Sequence, residues 1–193
     1  MSEFDLALSV ALGIGLAAAT GLRLFVPMLV ASAAAYTGYL PLSENFEWLA
    51  TLPALILLGV AAVVEILAYY IPGVDNLLDT LATPLAFVAG TIVAAAVMTD
   101  LPPMVKWAAA VIAGGGIAGL TQSVTTVVRA KSTVLTGALG NPAIATAEFG
   151  GSLLVSLLAL AAPLLTLLAV VLLLWLAVRW LRRISRSGQP SKI

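Results

Sequence analysis

Long uncharged apolar runs, separated by single charged residues, are the feature that most constrains this chain. The uncharged runs cover residues 6–22, 24–43, 48–64, 80–99, 107–128, 132–147 and 149–178. A charge at the centre of a membrane helix costs about 2.5–3.5 kcal/mol, so charges mark where spans begin and end. A span needs about 20 apolar residues. The pattern therefore predicts an all-α membrane protein with about five spans: one within 6–36 and four near 48–70, 80–99, 107–128 and 150–178.

The composition indicates that lipid surrounds most of the chain. Hydrophobic residues make up 62% and charged residues 9% of the 193 residues, and the mean hydropathy is +1.12. A soluble domain has about 25% charged residues, and a disordered chain is poor in apolar residues. The chain has no Cys and no His, which removes thiolate metal sites and the commonest general base. We therefore expect no enzymatic activity, no cofactor, no metal site and no nucleic-acid partner.

The charges at the two ends predict the orientation in the membrane. The N-terminus carries Glu3 and Asp5. The basic residues of the tail 179–193 are Arg179, Arg182, Arg183, Arg186 and Lys192. The positive-inside rule places a basic tail of this kind in the cytoplasm. With five spans, the acidic N-terminus then lies outside.

The first apolar segment is too long for one straight span. A helix over 6–36 would be about 46 Å long, against a hydrocarbon core of about 30 Å. Arg23 and Pro27 lie in its middle, and proline inside a helix favours a kink or break. We expect a break near 21–27; the alternative is a tilted, kinked helix in which Arg23 snorkels to the interface. Pro163 predicts a kink in the long run 149–178.

A shift of 101 positions brings several features of the two halves into register. The matches include Gly13 with Gly114, Gly15 with Gly116, Pro41 with Pro142 and Glu47 with Glu148. Three spans between the copies would make this an inverted-topology repeat, as in many transporters. We predict one transmembrane domain over 1–193, with repeat 1 at about 6–72, a linking span at 76–99 and repeat 2 at about 104–178. Interrupted segments, re-entrant or merely kinked, are expected at 23–38 and 129–142.

Basic residues within apolar segments are the first candidates for a site, because buried charges in membranes are costly and usually functional. Arg23, Arg129 and Lys131 predict a clamp for an anion or a phosphate group, since a guanidinium binds phosphate through two hydrogen bonds. Gln122 and Asn141 would complete its polar lining. The alternatives are a structural ion pair of Arg23 with an acidic residue, interfacial anchors at 129 and 131, and a simple turn at Asn141.

Acidic residues form the second candidate group. Glu65 lies inside an apolar stretch, and Asp75 and Asp79 are four residues apart, on one face of a predicted helix. Their functional interpretation is coupling to protons or cations. The structural alternatives are that Asp75 caps helix 76–98, that Asp79 solvates its first turns, and that Glu65 pairs with Arg23 or Arg129.

A glycine-rich stretch at 114–119 interrupts the apolar pattern of the fourth span. Small residues let membrane helices approach each other closely. We therefore interpret this stretch as a site of tight helix packing, in preference to a surface that faces substrate.

Three strings in the sequence resemble a known family. They are Gly21–Pro27 (Gly-Leu-Arg-Leu-Phe-Val-Pro), Phe46–Leu49 and Ile71–Asp79. They resemble an uncharacterised bacterial family of integral membrane proteins, known only as a domain of unknown function, over about residues 8–180. The resemblance implies a multi-pass protein of the bacterial cytoplasmic membrane and no established activity. More loosely, the predicted architecture is similar to that of polyprenyl-phosphate lipid carriers, an analogy of fold alone.

These observations together predict a small transporter. Its substrate would be a small anion or a phosphate-bearing lipid, its surroundings membrane lipids, and its assembly a homodimer, because one copy offers few helices to enclose a pathway. One alternative is a non-transporting scaffold or accessory subunit whose buried charges are all structural pairs. The other is a metal-dependent enzyme acting on a lipid phosphate, with Asp75 and Asp79 holding a divalent cation.

Overall fold

A computed structural model describes residues 3–71, 74–99, 101–137 and 139–187, and its regular elements within these ranges are all helical. A 3₁₀ helix, Glu44–Ala50, precedes α3, and a π-helical turn, Ala110–Gly115, joins α5 to α6. The α-helices are α1 (Glu3–Thr20), α2 (Phe25–Tyr36), α3 (Leu52–Ala68), α4 (Val74–Val97), α5 (Pro103–Ala109), α6 (Gly116–Thr136), α7 (Asn141–Ala161) and α8 (Pro163–Ser187).

The helices have the length and composition of an all-α membrane protein, which confirms the predicted fold class. Among the residues that the structure describes, three helical segments are long and apolar enough to cross a membrane: Leu77–Val97, Pro103–Thr136 and Asn141–Ala161. The 3₁₀ helix and α3 make a fourth if they are counted together, although they meet at 71°. The described residues thus give three to four candidate spans where about five were expected, and the first apolar segment, 6–36, is divided between α1 and α2. The predicted homodimer and cytoplasmic C-terminus stay predictions.

The first apolar segment breaks between α1 and α2, as its length predicts. Thr20 ends α1 and Phe25 begins α2. Pro27 lies within the first turn of α2, where the backbone N–H that proline lacks would have no helical partner. A Cβ added to Gly21 would come within 2.4 Å of the Ala118 carbonyl oxygen. Glycine is therefore required for the chain to turn directly against α6.

The interruption predicted at 129–142 is shorter in the structure. Residues 129–136 continue α6 as regular helix, and the chain leaves the helix only at Gly137, whose φ of 61° is left-handed. Gly38 also has a left-handed φ, of 79°, and follows Thr37, the C-cap of α2. The two Thr-Gly helix ends are alike, but α6 has no counterpart of the break after α1. The inverted repeat stays a prediction.

The predicted kink at Pro163 is a complete helix break. Ala161 ends α7, and Ala162 has φ −149° and ψ 72°, outside the helical region. Pro163 then begins α8. Proline has no N–H to donate and disfavours helical backbone in the residue before it, which explains why the helix ends here.

The glycine-rich stretch forms a close helix contact, in agreement with its interpretation as a packing site. A Cβ on Gly90 of α4 would come within 2.4 Å of the Ala118 Cβ, and one on Gly114 within 2.6 Å of the Ala94 Cβ. The backbones of α4 and of the Pro103–Thr136 segment therefore touch through glycine and alanine. This contact fixes α4 and α6 relative to each other and so positions the charged residues that they carry.

Candidate functional site

Two arginines at the centre of the helix bundle are almost completely buried. Arg23 lies in the break before α2 and Arg129 lies in α6, and each is 1% exposed. Glu148 of α7, 7% exposed, accepts a hydrogen bond from Arg129 Nε to its Oε1 at 3.1 Å, and Arg129 Nη2 donates to its Oε2. Arg23 Nη2 lies 3.4 Å from the same Oε2. One carboxylate therefore holds two guanidinium groups.

Asp79 and Tyr69 complete this group, which we call the arginine cluster: Arg23, Tyr69, Asp79, Arg129 and Glu148. Asp79 Oδ1 lies 3.7 Å from Arg129 Nε. The Tyr69 ring centroid lies 4.0 Å from Arg23 Cζ and 4.3 Å from Arg129 Cζ. A desolvated cation–π contact of this kind contributes about 2 kcal/mol. The ring therefore stabilises two like charges that would otherwise repel each other.

Several donors of the two arginines have no hydrogen-bond partner within the described residues. These atoms are Arg23 Nε, Arg23 Nη1 and Arg129 Nη1, all buried. The remaining Arg23 nitrogen, Nη2, donates to the Ala145 carbonyl oxygen at 2.9 Å. A buried donor without a partner costs about 1–3 kcal/mol, and more for a charged group. The cluster thus has hydrogen-bonding capacity that its own carboxylates do not use.

Glu65 has a different role from the ion pair considered in the sequence. Its Oε1 accepts a hydrogen bond from the Leu24 N–H at 2.7 Å, and its Oε2 accepts one from the Phe25 N–H at 3.0 Å. Leu24 stands at the N-cap of α2, and its own side chain cannot accept such bonds. Glu65 therefore caps α2 from another helix, where its charge also matches the positive end of the helix dipole.

The predicted polar lining is divided between two places. Gln122 is buried in α6 and its amide nitrogen donates to Thr126 Oγ1 at 3.3 Å. Asn141 is buried at the start of α7, where its amide nitrogen donates to Thr133 Oγ1 at 3.1 Å. This bond ties α7 to α6.

Two further predicted residues, Lys131 and Asp75, lie on α6 and α4, the helices that also carry Arg129 and Asp79. Lys131 is half-buried in α6. It follows Arg129 by two residues, so its side chain leaves the helix about 200° away around the axis. Asp75 lies in the first turn of α4, which begins at Val74. Its side chain, and the predicted pairing of Asp75 with Asp79, are outside the described residues.

An apolar cavity of about 450 Å³, which we call the lateral cleft, adjoins the arginine cluster. Its walls come mainly from α3 and α4, and its polar lining residues are Glu65, Tyr69 and Gln122. Tyr69 belongs to both features, since its ring also covers the two guanidinium groups. The residues that line the cleft are Leu24, Phe25, Leu57, Val60, Ala61, Val64, Glu65, Ala68, Tyr69, Leu78, Ala82, Leu85 and Gln122.

The comparison with protein families agrees with the resemblance seen in the sequence. The family model described as a domain of unknown function, DUF4126, matches residues 10–183. The chain belongs to the DUF4126 family. No curated protein and no solved structure matches it. Family membership assigns no activity, so the proposed function of this DUF4126 protein rests on the geometry of the site.

Metal binding was the basis of the enzymatic alternative. In the part of this DUF4126 chain that the structure describes, no group of three or more Asp, Glu, His or Cys side chains is arranged to hold a metal ion. The side chain of Asp75, on which that alternative depends, is outside the described residues.

Tyr69 and Glu148 are the two members of the arginine cluster that the sequence did not single out as site residues. Glu148 had a signal, because it is a charge between two apolar runs and the counterpart of Glu47 under the shift of 101 positions. Tyr69 had a weaker one: it follows Glu65 by four residues and therefore shares its helix face. Nothing in the spacing indicated that its ring would meet two arginines.

Proposed function

We propose that this protein is a small membrane transporter for an anionic, phosphate-bearing substrate, and that Arg23 and Arg129 bind the anion. The observation that carries the proposal is the pair of buried guanidinium groups with unpartnered donors at Arg23 Nε, Arg23 Nη1 and Arg129 Nη1. Guanidinium groups bind phosphate through paired, charge-assisted hydrogen bonds. Buried charges in membrane proteins commonly mark a substrate pathway.

Glu148 supports a mechanism of exchange at this site. Its two oxygens lie against both guanidinium groups, in the way that two oxygens of a phosphate group would. When the substrate binds, its phosphate replaces the carboxylate on at least one arginine. Glu65 is engaged as a helix cap, and the predicted coupling of protons or cations through Glu65, Asp75 and Asp79 stays a prediction.

The proposal is tested by flux in liposomes that contain the purified protein. Two probes are used: inorganic phosphate and a fluorescent phosphatidic acid, which carries a phosphate monoester. Arg23→Ala should lower flux of the transported probe by more than about tenfold, because a hydrogen-bonded charge contact is worth about 1.5–3 kcal/mol. Arg23→Lys should recover only part of it, since lysine lacks the two-pronged donor geometry.

Arg179→Ala is the matched control for this experiment. Arg179 also lies over an aromatic ring, with Cζ 5.1 Å from the centroid of Trp175, but it is exposed and far along α8. Its removal should leave flux unchanged. Equal flux in wild type and in a folded Arg23→Ala protein, for both probes, would overturn the proposal.

A scaffold or accessory role is the second candidate, favoured by the observation that Glu148 already pairs with both arginines. If the cluster only holds α6 and α7 to the break after α1, Arg23→Ala lowers stability and no probe shows protein-dependent flux. The liposome experiment therefore decides between the two candidates.

A further inference from the structure

We infer that the substrate is an amphiphile, with a phosphate head group for the arginine cluster and a hydrocarbon chain for the lateral cleft. This inference rests on the proposed function and names the substrate class of the same site. The two features adjoin at Tyr69, which lines the cleft and stacks on both guanidinium groups.

The size and lining of the cleft fit a hydrocarbon chain. Its volume of about 450 Å³ falls within the range of about 300–1,000 Å³ that is typical of ligand pockets. Apart from Glu65, Tyr69 and Gln122, its lining residues are Leu, Val, Ala and Phe. A small hydrophilic anion has no favourable contact with such walls, whereas a lipid chain packs against them as it does against other lipid chains.

The cleft opens sideways, between α3 and α4. α3 packs on α2 and on the 3₁₀ helix, while α4 packs on α1 and on the Pro103–Thr136 segment. The cleft residues at its outer edge are strongly exposed: Leu57 by 66% on α3 and Leu85 by 48% on α4. These apolar edges would face lipid, so a chain can enter from the bilayer without leaving an apolar environment.

From the outer edge of the cleft to the arginine cluster, the surface changes from apolar to polar to charged. A lipid phosphate changes in the same order from its hydrocarbon chain to its head group. The outer walls are apolar, and the polar groups of Glu65, Tyr69 and Gln122 lie among the lining residues. Behind the Tyr69 ring stand Arg23 and Arg129 with their unpartnered donors. A molecule with a phosphate at one end and a hydrocarbon chain along its length matches both parts at once.

Tyr69 separates the two parts in this structure. It is buried and stands at the C-cap of α3, directly after the last helical residue, Ala68. A head group that enters through the cleft reaches the guanidinium groups only when this ring turns aside. Tyr69 is thus the gate between the lateral cleft and the anion site.

The test fills the cleft and compares a lipid probe with a soluble one. Ala82→Trp on α4 and Ala61→Trp on α3 place a large ring at two half-buried lining positions. Val63→Trp is the matched control, because Val63 is an exposed α3 residue that does not line the cleft. Movement of fluorescent phosphatidic acid across liposomes is measured for each variant, with fluorescent phosphatidylcholine and inorganic phosphate as comparison probes.

We expect Arg23-dependent movement of phosphatidic acid that exceeds that of phosphatidylcholine. The cleft-filling variants should slow it by about tenfold or more, and Val63→Trp should not. Retention of the wild-type melting temperature shows that a variant is folded; Ala61→Trp serves if Ala82→Trp does not fold. Arg23-dependent uptake of inorganic phosphate, with no effect of cleft filling, would overturn this inference and leave the proposed function standing. If Arg23→Ala changed the movement of none of the probes, the proposed function itself would be overturned.

Discussion

The two sides of Tyr69 are built in opposite ways. On one side, the arginine cluster gathers side chains from the break after α1, from α4, α6 and α7, and holds them within contact distance. On the other side, α3 and α4 stand apart around the lateral cleft. Charge pairs and small-residue contacts close the first side. The second side is lined by large apolar side chains that can face lipid. Under the proposed function, stability and substrate access therefore depend on different residues.

The largest expected effect comes from removing the shared carboxylate on the closed side. Glu148→Gln leaves two buried guanidinium groups without their common counter-charge, and loss of one partner from a buried ion pair costs about 3–5 kcal/mol. We expect a clearly lower melting temperature in detergent. Glu47 is exposed, so Glu47→Gln is the control and should melt like wild type. An unchanged melting temperature for Glu148→Gln would show that the cluster does not hold the closed side together.

The next effect tests the small-residue contact that also belongs to the closed side. Gly90→Ala would place a Cβ 2.4 Å from that of Ala118, and overpacking of this kind costs about 1–3 kcal/mol. Gly116→Ala is the control, since its added Cβ meets no atom within 4 Å. The control should be neutral or should stabilise α6 by up to about 1 kcal/mol. Equal stability of the two variants would contradict the close contact.

Glu65 lies between the two sides and should show an intermediate effect. Glu65→Ala removes the cap from Leu24 and Phe25 at the start of α2, a loss of about 0.5–2 kcal/mol. The melting temperature should therefore fall less than for Glu148→Gln, whereas Glu44→Ala, an exposed control, should not change it. A loss as large as that of Glu148→Gln would mean that Glu65 acts as an ion-pair partner and not as a cap.

The smallest effect is expected on the cleft side. Leu57 is 66% exposed and already faces a medium as apolar as itself, so Leu57→Ala should change stability by less than about 0.5 kcal/mol. Leu49, which is buried in the core, is the control, and Leu49→Ala should cost about 2–5 kcal/mol. A large loss for Leu57→Ala would indicate that another protein surface, such as a second copy of this chain, packs into the cleft.

The sequence allowed part of this arrangement to be predicted. The all-α membrane fold follows from the uncharged runs, and the break before α2 follows from the excess length around Arg23. Arg23, Arg129 and Asp79 were predicted as buried functional charges, and they do come together. Each of these predictions depends on the cost of a charge in an apolar stretch, which is a local property of the sequence.

The partners of these charges could not be predicted from the sequence. Several carboxylates compete for two guanidinium groups, and the choice depends on how α4, α6 and α7 pack. Glu65 was predicted as a coupling carboxylate, with an ion pair to Arg23 or Arg129 as the structural alternative. In the structure it accepts hydrogen bonds from the N–H groups of Leu24 and Phe25. Within the interruption predicted at 129–142, residues 129–136 continue α6 because the polar residues there are compatible with regular helix. The helix ends only where Gly137 provides left-handed backbone, and α7 begins at Asn141.

The most direct test of the central claim is to measure which lipid the purified protein retains. Native mass spectrometry of the protein, incubated with equal amounts of phosphatidic acid and phosphatidylcholine, reports the ratio of the two bound lipids. If Arg23 and Arg129 bind a phosphate head group, wild type and Arg179→Ala should prefer phosphatidic acid, and a folded Arg23→Ala protein should lose that preference. The same lipid ratio in all three proteins would contradict the account.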